Sequence, residues 1–580
     1  MNHDSCKRAA RALACALVVG SGCSEDGAVP SDPEDMQGGW VQSETSMART
    51  RVEGETSRIV VAYNDTFEIH NGGTGAGREY LTHYSVHGLS VSDDGGKTWA
   101  RKGQLDPSMS ESIEAMRGDP WVDAAGQLVM YTGMTAPPSD GTGLTDPSGV
   151  MLAISRDGAE SWDFMEEIHM SDEGERPDGP KVAVSRDGLF ALVTWIEREG
   201  DGSYRTRYIR VYNPSSGSPT ILGPMDLDEQ AGLSPPPSTE YRGSCGLNPD
   251  TGERYWQESL AAGHPVPAIG PHGGIYIARV VRYWRPDVAF CTDATLRLEV
   301  FRADDGVEAT TWTRISDSPV TDGSGNGTNG GRVGEMLGIG EDTHAGVRPT
   351  IAVTSRGEEQ EDVLIAMEQV SGSQQRQDIY VRRIPDANTC YSSGQMGKSC
   401  AGVTRSFPAQ QLAEAWQEVM DEAYDTEFAY AYMPSLFVGD TPYGAHDPRV
   451  GLVFYVQPHR GRPEAEDGSY DRRFTTVIGM ISPDSGQSWK AGNILNAEVP
   501  DRPSEYVDTF FESQPTGFIP CPVQGGYFGH YISGAFQSDA VNDNFAVASW
   551  GDSRQGCDGT RAGWQMDFQQ VFSARFPAHL

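Results

Sequence analysis

Ser92-Asp93-Asp94-Gly95-Gly96-Lys97-Thr98-Trp99 is the stretch that decides the fold, because its pattern recurs along the chain. Ser482-Pro483-Asp484-Ser485-Gly486-Gln487-Ser488-Trp489 repeats it, and Ser155-Arg156-Asp157-Gly158-Ala159-Glu160-Ser161-Trp162 repeats it with the glycine moved by one place. Each copy follows a short apolar run and predicts the turn of a β-hairpin. The aspartate can accept hydrogen bonds from turn N–H groups, glycine supplies a positive φ, and the Trp ring then packs against the sheet.

The eight-residue pattern resembles the Asp box, or BNR repeat, of sialidase-like β-propellers. The resemblance implies an all-β fold in which these turns lie on the outer rim. In that superfamily the box is a structural turn away from the substrate funnel. It therefore indicates fold rather than activity.

A second repeated pattern, a short apolar run, gives the number of structural units. Seven short apolar runs end in an aromatic residue or alanine, and successive run ends lie 64 to 95 residues apart. These run ends are Tyr63, Tyr131, Trp195, Ala278, Ala366, Tyr455 and Trp550. Five runs follow a Pro-x-(Val/Ile/Leu) segment, and proline suits the first residue of a strand because it donates no ladder hydrogen bond. Short strands at these periods predict a single β-propeller of seven four-stranded antiparallel blades, with six blades as the alternative if the first and last units combine.

The N-terminus has the features of an export signal. Residues 1–23 contain a basic segment, a short apolar run and small residues before Cys23, and they resemble a bacterial lipoprotein signal in which that cysteine is lipidated; ordinary secretion is the alternative. Residues 24–46 are rich in acidic and small residues and predict a flexible tether. The propeller is then expected over 47–580, with a helical insertion at about 408–424, where apolar residues fall at helical spacing.

Cysteine usage agrees with export. Six cysteines remain outside the N-terminal region, and an even number in an exported chain predicts disulfides. Six cysteines allow about fifteen connectivities. Chain order favours the pairs Cys245–Cys291, Cys390–Cys400 and Cys521–Cys557. No pair has zinc-ligand spacing, so no structural metal is expected; an acidic exported protein is compatible with calcium, but no segment has the carboxylate spacing of a dedicated loop.

The charge balance narrows the class of partner. A formal net charge of −37 repels nucleic acid and anionic lipid surfaces. The sequence therefore excludes nucleic acid as a partner and restricts membrane contact to an N-terminal lipid anchor. We expect a monomer whose partners are glycans or surface proteins.

Charged residues beside the predicted inner-strand entrances define the expected ligand site. On a propeller these entrances surround the axis, so side chains from several blades can face one cavity. Arginines there can clamp a carboxylate and an aspartate can supply an acid. The alternative is that the charges pair with one another and cap strand ends. The residues concerned are Arg117, Asp119, Arg176, Asp178, Arg348 and Tyr531.

The resemblance also raises an enzyme hypothesis. Sialidases hold their substrate carboxylate with three arginines, the first in an N-terminal Arg-Ile-Pro motif, and use a Tyr–Glu pair and an aspartate. Here Arg383-Ile384-Pro385 is the one such motif, and it falls late in the chain on a predicted outer strand. The sequence thus assigns no catalytic residue. The leading function is recognition of a glycan or protein, and the alternative is an exo-acting glycoside hydrolase on terminal acidic sugars.

Overall fold

A computed structural model describes residues 26–28, 42–51, 57–65, 85–137, 146–199, 204–233, 264–283, 295–303, 311–319, 349–355, 357, 360–371, 376–388, 400, 402–407, 430–439, 449–457, 476–490, 493–494, 532–539, 543–552 and 570–578. These residues form an all-β propeller of seven blades, as predicted, and the six-blade alternative is excluded. Blades one to six each pair four antiparallel strands in sequence order from the inside outwards, and blade seven takes its outer strand from the N-terminal region.

Blade one comprises β2 (Gln42–Arg51), β3 (Ser57–Asp65), β4 (His87–Ser92) and β5 (Ala100–Gln104). Blade two comprises β6 (Ala115–Ala125), β7 (Leu128–Ala136), β8 (Gly149–Ser155) and β9 (Phe164–Met170). Blade three comprises β10 (Arg176–Val184), β11 (Phe190–Arg198), β12 (Tyr204–Tyr212) and β13 (Thr220–Asp226). Blade four comprises β14 (Val266–Ile269), β15 (Ile275–Tyr283), β16 (Thr295–Ala303) and β17 (Trp312–Pro319).

Blade five comprises β18 (Thr350–Ser355), β19 (Glu361–Ser371), β20 (Arg376–Ile384) and β21 (Val403–Phe407). Blade six comprises β22 (Tyr430–Val438), β23 (Val450–Gln457), β24 (Thr476–Ser482) and β25 (Asn493–Ile494). Blade seven comprises β26 (Ser533–Asp539), β27 (Asp543–Asp552), β28 (Gln570–Pro577) and β1 (Asp26–Ala28). The helical elements among the described residues are a 3-10 turn, Pro107–Met109, and α1 (Leu227–Gln230).

The N-terminal region closes the ring. β1 pairs antiparallel with β28 and supplies the outer strand of blade seven, which would otherwise leave a strand edge unpaired. The sequence predicts closure by residues near 45–60, and Thr45 does contribute, because its hydroxyl donates to the Ser549 carbonyl at 2.6 Å. The stretch 24–46, predicted as a tether, differs from that expectation in containing β1 and the start of β2.

Seven apolar clusters hold the blades together, each between two neighbouring blades. The strands are buried on both faces, so their sequences are continuous apolar runs, as in Val60-Val61-Ala62-Tyr63, where every side chain is buried. The cluster between blades seven and one pairs Val61 and Tyr63 with Val547 and Val571. Burying a side chain of this size contributes about 1.5–3 kcal/mol. The core is therefore a ring of interfaces rather than one centre.

The three Asp-box turns share one hydrogen-bond scheme, which confirms the predicted turns. In the first, Asp94 Oδ1 accepts from Lys97 N at 3.0 Å and Thr98 N at 2.9 Å, and Asp94 Oδ2 accepts from the Thr98 hydroxyl at 2.5 Å. Ser92 Oγ accepts from Gly96 N at 2.8 Å. These bonds lower the pKa of Asp94 against the opposing effect of burial, the largest single influence on it. Trp99 then packs on the preceding blade, where its Nε1 donates to Ser573 Oγ at 2.8 Å.

Several sequence predictions lie outside the described residues. These are the signal segment with Cys23, the helical insertion at 408–424, and every predicted disulfide cysteine except Cys400, so the three pairings stay predictions. Cys400 is buried between blades four and five. In the part of the chain that the structure describes, no helix has the length and apolar character needed to cross a bilayer.

Candidate functional site

The inner strands of four blades share one irregularity at the same end. Each loses its regular pairing with the second strand for a short stretch, and one residue in that stretch has a positive φ of 51 to 58°. In three of the four a proline follows, and its missing N–H cannot continue the ladder. The positive-φ residues are Glu44, Asp119, Gly179 and Met433. The bulges turn these segments out of the sheet around the axis.

Side chains from four successive blades meet beside the bulges of blades one, two and three. One oxygen each from Asp119 and Asp178 and one nitrogen of His264 lie within 4.8 Å of one another. Glu44 adjoins them through a hydrogen bond with Asp119. We call Glu44, Asp119, Asp178 and His264 the inner-strand cluster. Blades one to four each contribute one member.

Hydrogen bonds fix the geometry of the inner-strand cluster. His264 Nε2 lies 3.0 Å from Asp178 Oδ2, and Gly179 N donates to Asp119 Oδ2 at 3.0 Å. Asn64 Nδ2 donates to Glu44 Oε2 at 2.6 Å. Gly179 has φ of +58°, and a side chain there would collide with the His264 ring, so glycine is needed at this position. The cluster is thus held by main-chain and side-chain bonds across the blades.

Burial and like charge raise the pKa of Asp119 well above its usual value. Burial is the largest cause, followed by the charges of Glu44 and Asp178, both of which also hydrogen-bond to it. Because carboxylates this close repel one another, the raised pKa favours the protonated form of Asp119, which can donate to a neighbouring carboxylate. Asp178 has a different environment, because 51% of its side chain is exposed while the His264 side chain is 5% exposed. Asp178 is therefore the member that faces solvent.

His87 supports the bulge of blade two from behind. Its ring is fully buried, and Nε2 lies 3.1 Å from the carbonyl oxygen of Gly118, the residue before Asp119. Burial lowers the pKa of His87 to about 4, against a small opposing effect of that bond. The ring is consequently neutral at physiological pH, with Nε2 donating to the carbonyl. It positions Asp119 without adding a charge.

Asp119, Asp178 and His264 are the described residues that could hold a metal ion. Two carboxylate oxygens and an imidazole nitrogen are a donor set suited to a transition metal. Calcium prefers six to eight oxygen ligands, so the calcium expectation gains no support from this set. A cation here would take the place of the proton that Asp119 shares.

The structure brings together only part of the set of residues predicted from sequence. Asp119 and Asp178 meet as expected, whereas Arg176 forms an exposed ion pair with Asp146 at 2.7 Å instead of facing them. Arg117 is half-buried and makes no hydrogen bond or ion pair among the described residues. An arginine clamp is therefore not observed at Asp119 and Asp178. Arg348 and Tyr531 lie outside the described residues, and their place at the axis stays a prediction.

Sequence reasoning missed Glu44 and His264. Both lie two residues before the position where regular pairing of the inner strand begins or resumes, as Asp119 does. Counting back two residues from the start of β14 would have found His264, whereas Glu44 lies within β2 at its bulge. The Arg383-Ile384-Pro385 motif has a different place: Arg383 pairs with the buried Asp362 of its own blade at 2.6 Å.

Comparison with known proteins gives distant structural similarities and no sequence relative. No protein-family model and no curated protein sequence matches the chain. Among solved structures it is similar to the Hadza microbial sialidase Hz136, with 10% identity over 70% of this chain and 66% of that one and a TM-score of 0.34. It is also similar to Trypanosoma rangeli sialidase in complex with the inhibitor DANA, with 10% identity over 83% of this chain and 56% of that one and a TM-score of 0.35. A third similar structure is an exo-β-1,3-galactanase from Clostridium thermocellum, with 8% identity over 66% of this chain and 61% of that one and a TM-score of 0.29.

The aligned region spans less than two thirds of each of these proteins. At such identities and TM-scores the likeness concerns architecture, and what those proteins act on says nothing about this site. The chain is similar to two sialidases and an exo-β-1,3-galactanase at this level only.

Proposed function

We propose that the protein is an exported recognition propeller that binds the hydroxyl groups of a neutral glycan at the inner-strand cluster. The observation that carries this proposal is the pairing of an exposed carboxylate, Asp178, with the buried His264 behind it. A fixed carboxylate accepts hydrogen bonds from two adjacent sugar hydroxyls, and bonds to a charged acceptor are the stronger ones. Fixing it in advance lowers the entropic cost of binding.

An aromatic residue two positions from Asp119 in the sequence is our candidate for the apolar surface of a sugar site. Trp121 follows Asp119 by two residues on β6 and is half-buried. Lys181 Nζ lies over its ring, 4.8 Å from the centroid. Trp121 also packs on the apolar core between blades two and three, so only the part of its ring left uncovered would meet the apolar face of a pyranose.

The charge of the cluster favours a neutral sugar over an acidic one. Glu44, Asp119 and Asp178 are all acidic, and Arg176, expected to offset them, is bound to Asp146. A carboxylate ligand would bring a further negative charge to a site in which three carboxyl groups already lie close together. The acidic-sugar specificity implied by the family resemblance is therefore not our proposal.

Hydrolysis is the competing assignment, since a carboxyl group with a raised pKa can act as a general acid. Glycosidase carboxyl pairs stand about 5–5.5 Å apart in retaining enzymes and about 6.5–9.5 Å apart in inverting ones. Here Asp119 hydrogen-bonds to both neighbouring carboxylates, so a glycosidic oxygen cannot lie between them. This spacing favours recognition.

Export belongs to the same proposal and rests on the sequence of residues 1–23 and on the cysteine count. Metabolic labelling with a fatty acid, comparing the native chain with Cys23→Ser, tests the lipid anchor. Label that disappears in the variant supports an anchored propeller. If the native protein is secreted without label, the anchor is refuted and the proposed recognition would take place in solution.

A glycan array run beside fluorogenic glycosides tests the function. We expect binding to neutral glycans, no turnover, and loss of binding in Asp178→Asn. Asp146→Asn is the matched control, because it removes an exposed carboxylate outside the cluster. Turnover that is lost in Asp119→Asn would replace recognition by hydrolysis, and binding confined to acidic glycans would contradict the proposed ligand.

A further inference from the structure

Three buried polar side chains meet between blades three and four, away from the inner-strand cluster. Tyr208 and Arg210 lie on β12, and Trp312 begins β17. The Tyr208 and Trp312 rings meet edge to face with centroids 5.4 Å apart, and the Arg210 guanidinium lies 5.6 Å from the Tyr208 centroid. Their exposed fractions are 0%, 3% and 5% for Tyr208, Trp312 and Arg210. We call these three residues the blade 3–4 donor cluster.

Each member has a buried polar atom without a hydrogen-bond acceptor in the described part of the chain. These atoms are the Tyr208 hydroxyl, Arg210 Nη2 and Trp312 Nε1. Burial raises the pKa of Tyr208, while the nearby indole N–H and the guanidinium partly lower it. The two donors are therefore close to the hydroxyl, yet none of the three groups satisfies another with ordinary geometry. An unsatisfied buried donor costs about 1–3 kcal/mol.

The surroundings make the charge of Arg210 the decisive feature. The cluster adjoins an apolar core that includes Leu192, Ile277 and Phe301. The other arginines that are buried among the described residues have carboxylate partners. Arg58 pairs with Asp93 and Glu160, and Arg279 pairs with Asp228 and Glu299.

Arg210 has no carboxylate within ion-pair distance among the described residues. Asp226 is near enough to contribute to the raised pKa of Tyr208. Its carboxylate is already used, because it accepts from Arg205 at 3.3 Å and caps α1 through Asp228 N at 2.8 Å. A buried cation without a counterion is strongly destabilising.

We propose that the blade 3–4 donor cluster binds a small anion of halide size. An anion would supply both things that these side chains lack, a hydrogen-bond acceptor for the unpartnered donors and a negative charge for the guanidinium. A water molecule would satisfy the donors and leave the charge uncompensated. The 5% exposure of Arg210 indicates that the site is close to the surface. This site is independent of glycan recognition at the axis.

Thermal unfolding at constant ionic strength tests the proposal, with sodium chloride replacing sodium gluconate, whose anion is too large for the site. Because an anion that binds only the folded state raises its stability, Tm of the native protein is expected to rise with chloride. Tyr208→Phe, Trp312→Phe and Arg210→Met should each reduce that rise. Tyr208→Phe keeps the ring and Trp312→Phe keeps an aromatic side chain, so these two variants stay informative if Arg210→Met does not fold.

Trp489→Phe is the matched control, since Trp489 Nε1 is also buried without an acceptor but belongs to blade six. It should keep the full chloride effect. Crystals grown in sodium bromide give the direct result: an anomalous peak at hydrogen-bonding distance from Arg210 Nη2 and Trp312 Nε1. A chloride effect equal in all variants, no chloride effect, or a water without anomalous signal at this position would overturn the proposal.

Discussion

Asp178 of blade three and His264 of blade four are joined across the blade boundary, with Oδ2 and Nε2 3.0 Å apart. The carboxylate is half exposed and the imidazole is buried, so one partner faces solvent while the other is fixed in the fold. A ligand at the axis would meet an oxygen whose orientation is already set. The pair thus links the propeller geometry to recognition.

Asp119→Asn tests the shared proton. Asparagine tolerates the positive φ at this position and can both accept from Gly179 N and donate to a neighbouring carboxylate, as a protonated aspartate does. The folded pKa of Asp119 is raised, so its contribution to stability is present below the unfolded value of about 4 and is lost as pH rises through the folded pKa.

Thermal melts of both proteins across pH 4 to 9 are the measurement. We expect equal stability at pH 4 and a variant that becomes the more stable of the two as pH rises. If the native protein gains stability over the variant with rising pH, Asp119 is ionised and the shared proton is refuted.

His87→Gln tests the neutral histidine behind the cluster. Glutamine can still donate to the Gly118 carbonyl, but it does not titrate. The folded pKa of His87 is about 4, below the ordinary 6.5, so its stabilising contribution is present above pH 6.5 and is lost as pH falls towards 4. The native protein should lose up to about 3 kcal/mol more than the variant over that interval. The measurement is the free energy of unfolding in denaturant as a function of pH. If it changes equally in both proteins, His87 is protonated in the folded state and its pKa is not lowered.

Asp94→Ala tests the Asp-box turn. The variant removes an acceptor for Lys97 N, Thr98 N and the Thr98 hydroxyl. Because the turn is largely exposed, the expected loss in the free energy of unfolding is about 1 kcal/mol. Glu111→Ala is the control, because it removes an exposed carboxylate that makes no hydrogen bond or ion pair with the described residues. A loss equal to that of the control would deny the turn a structural role.

The fold was predictable because it is encoded locally. Each Asp box is complete within eight residues, and each buried strand is an apolar run whose period can be read directly. The site was predictable only in part. Asp119 and Asp178 lie beside visible strand starts, whereas the role of Glu44 depends on a bulge that no local motif marks. The ion pair of Arg176 with Asp146 joins residues 30 positions apart, so its exclusion from the site required the three-dimensional structure.

Gly534→Ala tests how tightly the last two blades pack. The Phe437 ring of blade six lies directly against the Cα of Gly534, leaving no room for a Cβ. We expect a destabilisation of about 1–3 kcal/mol, because the ring must shift within a filled core. Gly217→Ala is the control, since its side chain would point into open space. Equal chemical denaturation midpoints for the two variants would show that the blade contact is loose.

Recognition of neutral glycans at the inner-strand cluster is tested most directly by titration calorimetry with a glycan identified on the array. The account predicts that Asp178→Asn weakens binding by about tenfold or more, the loss of a hydrogen bond to a charged acceptor, while Tm changes little. Asp146→Asn should bind like the native protein. Native affinity in Asp178→Asn would contradict the account and place the ligand elsewhere on the propeller.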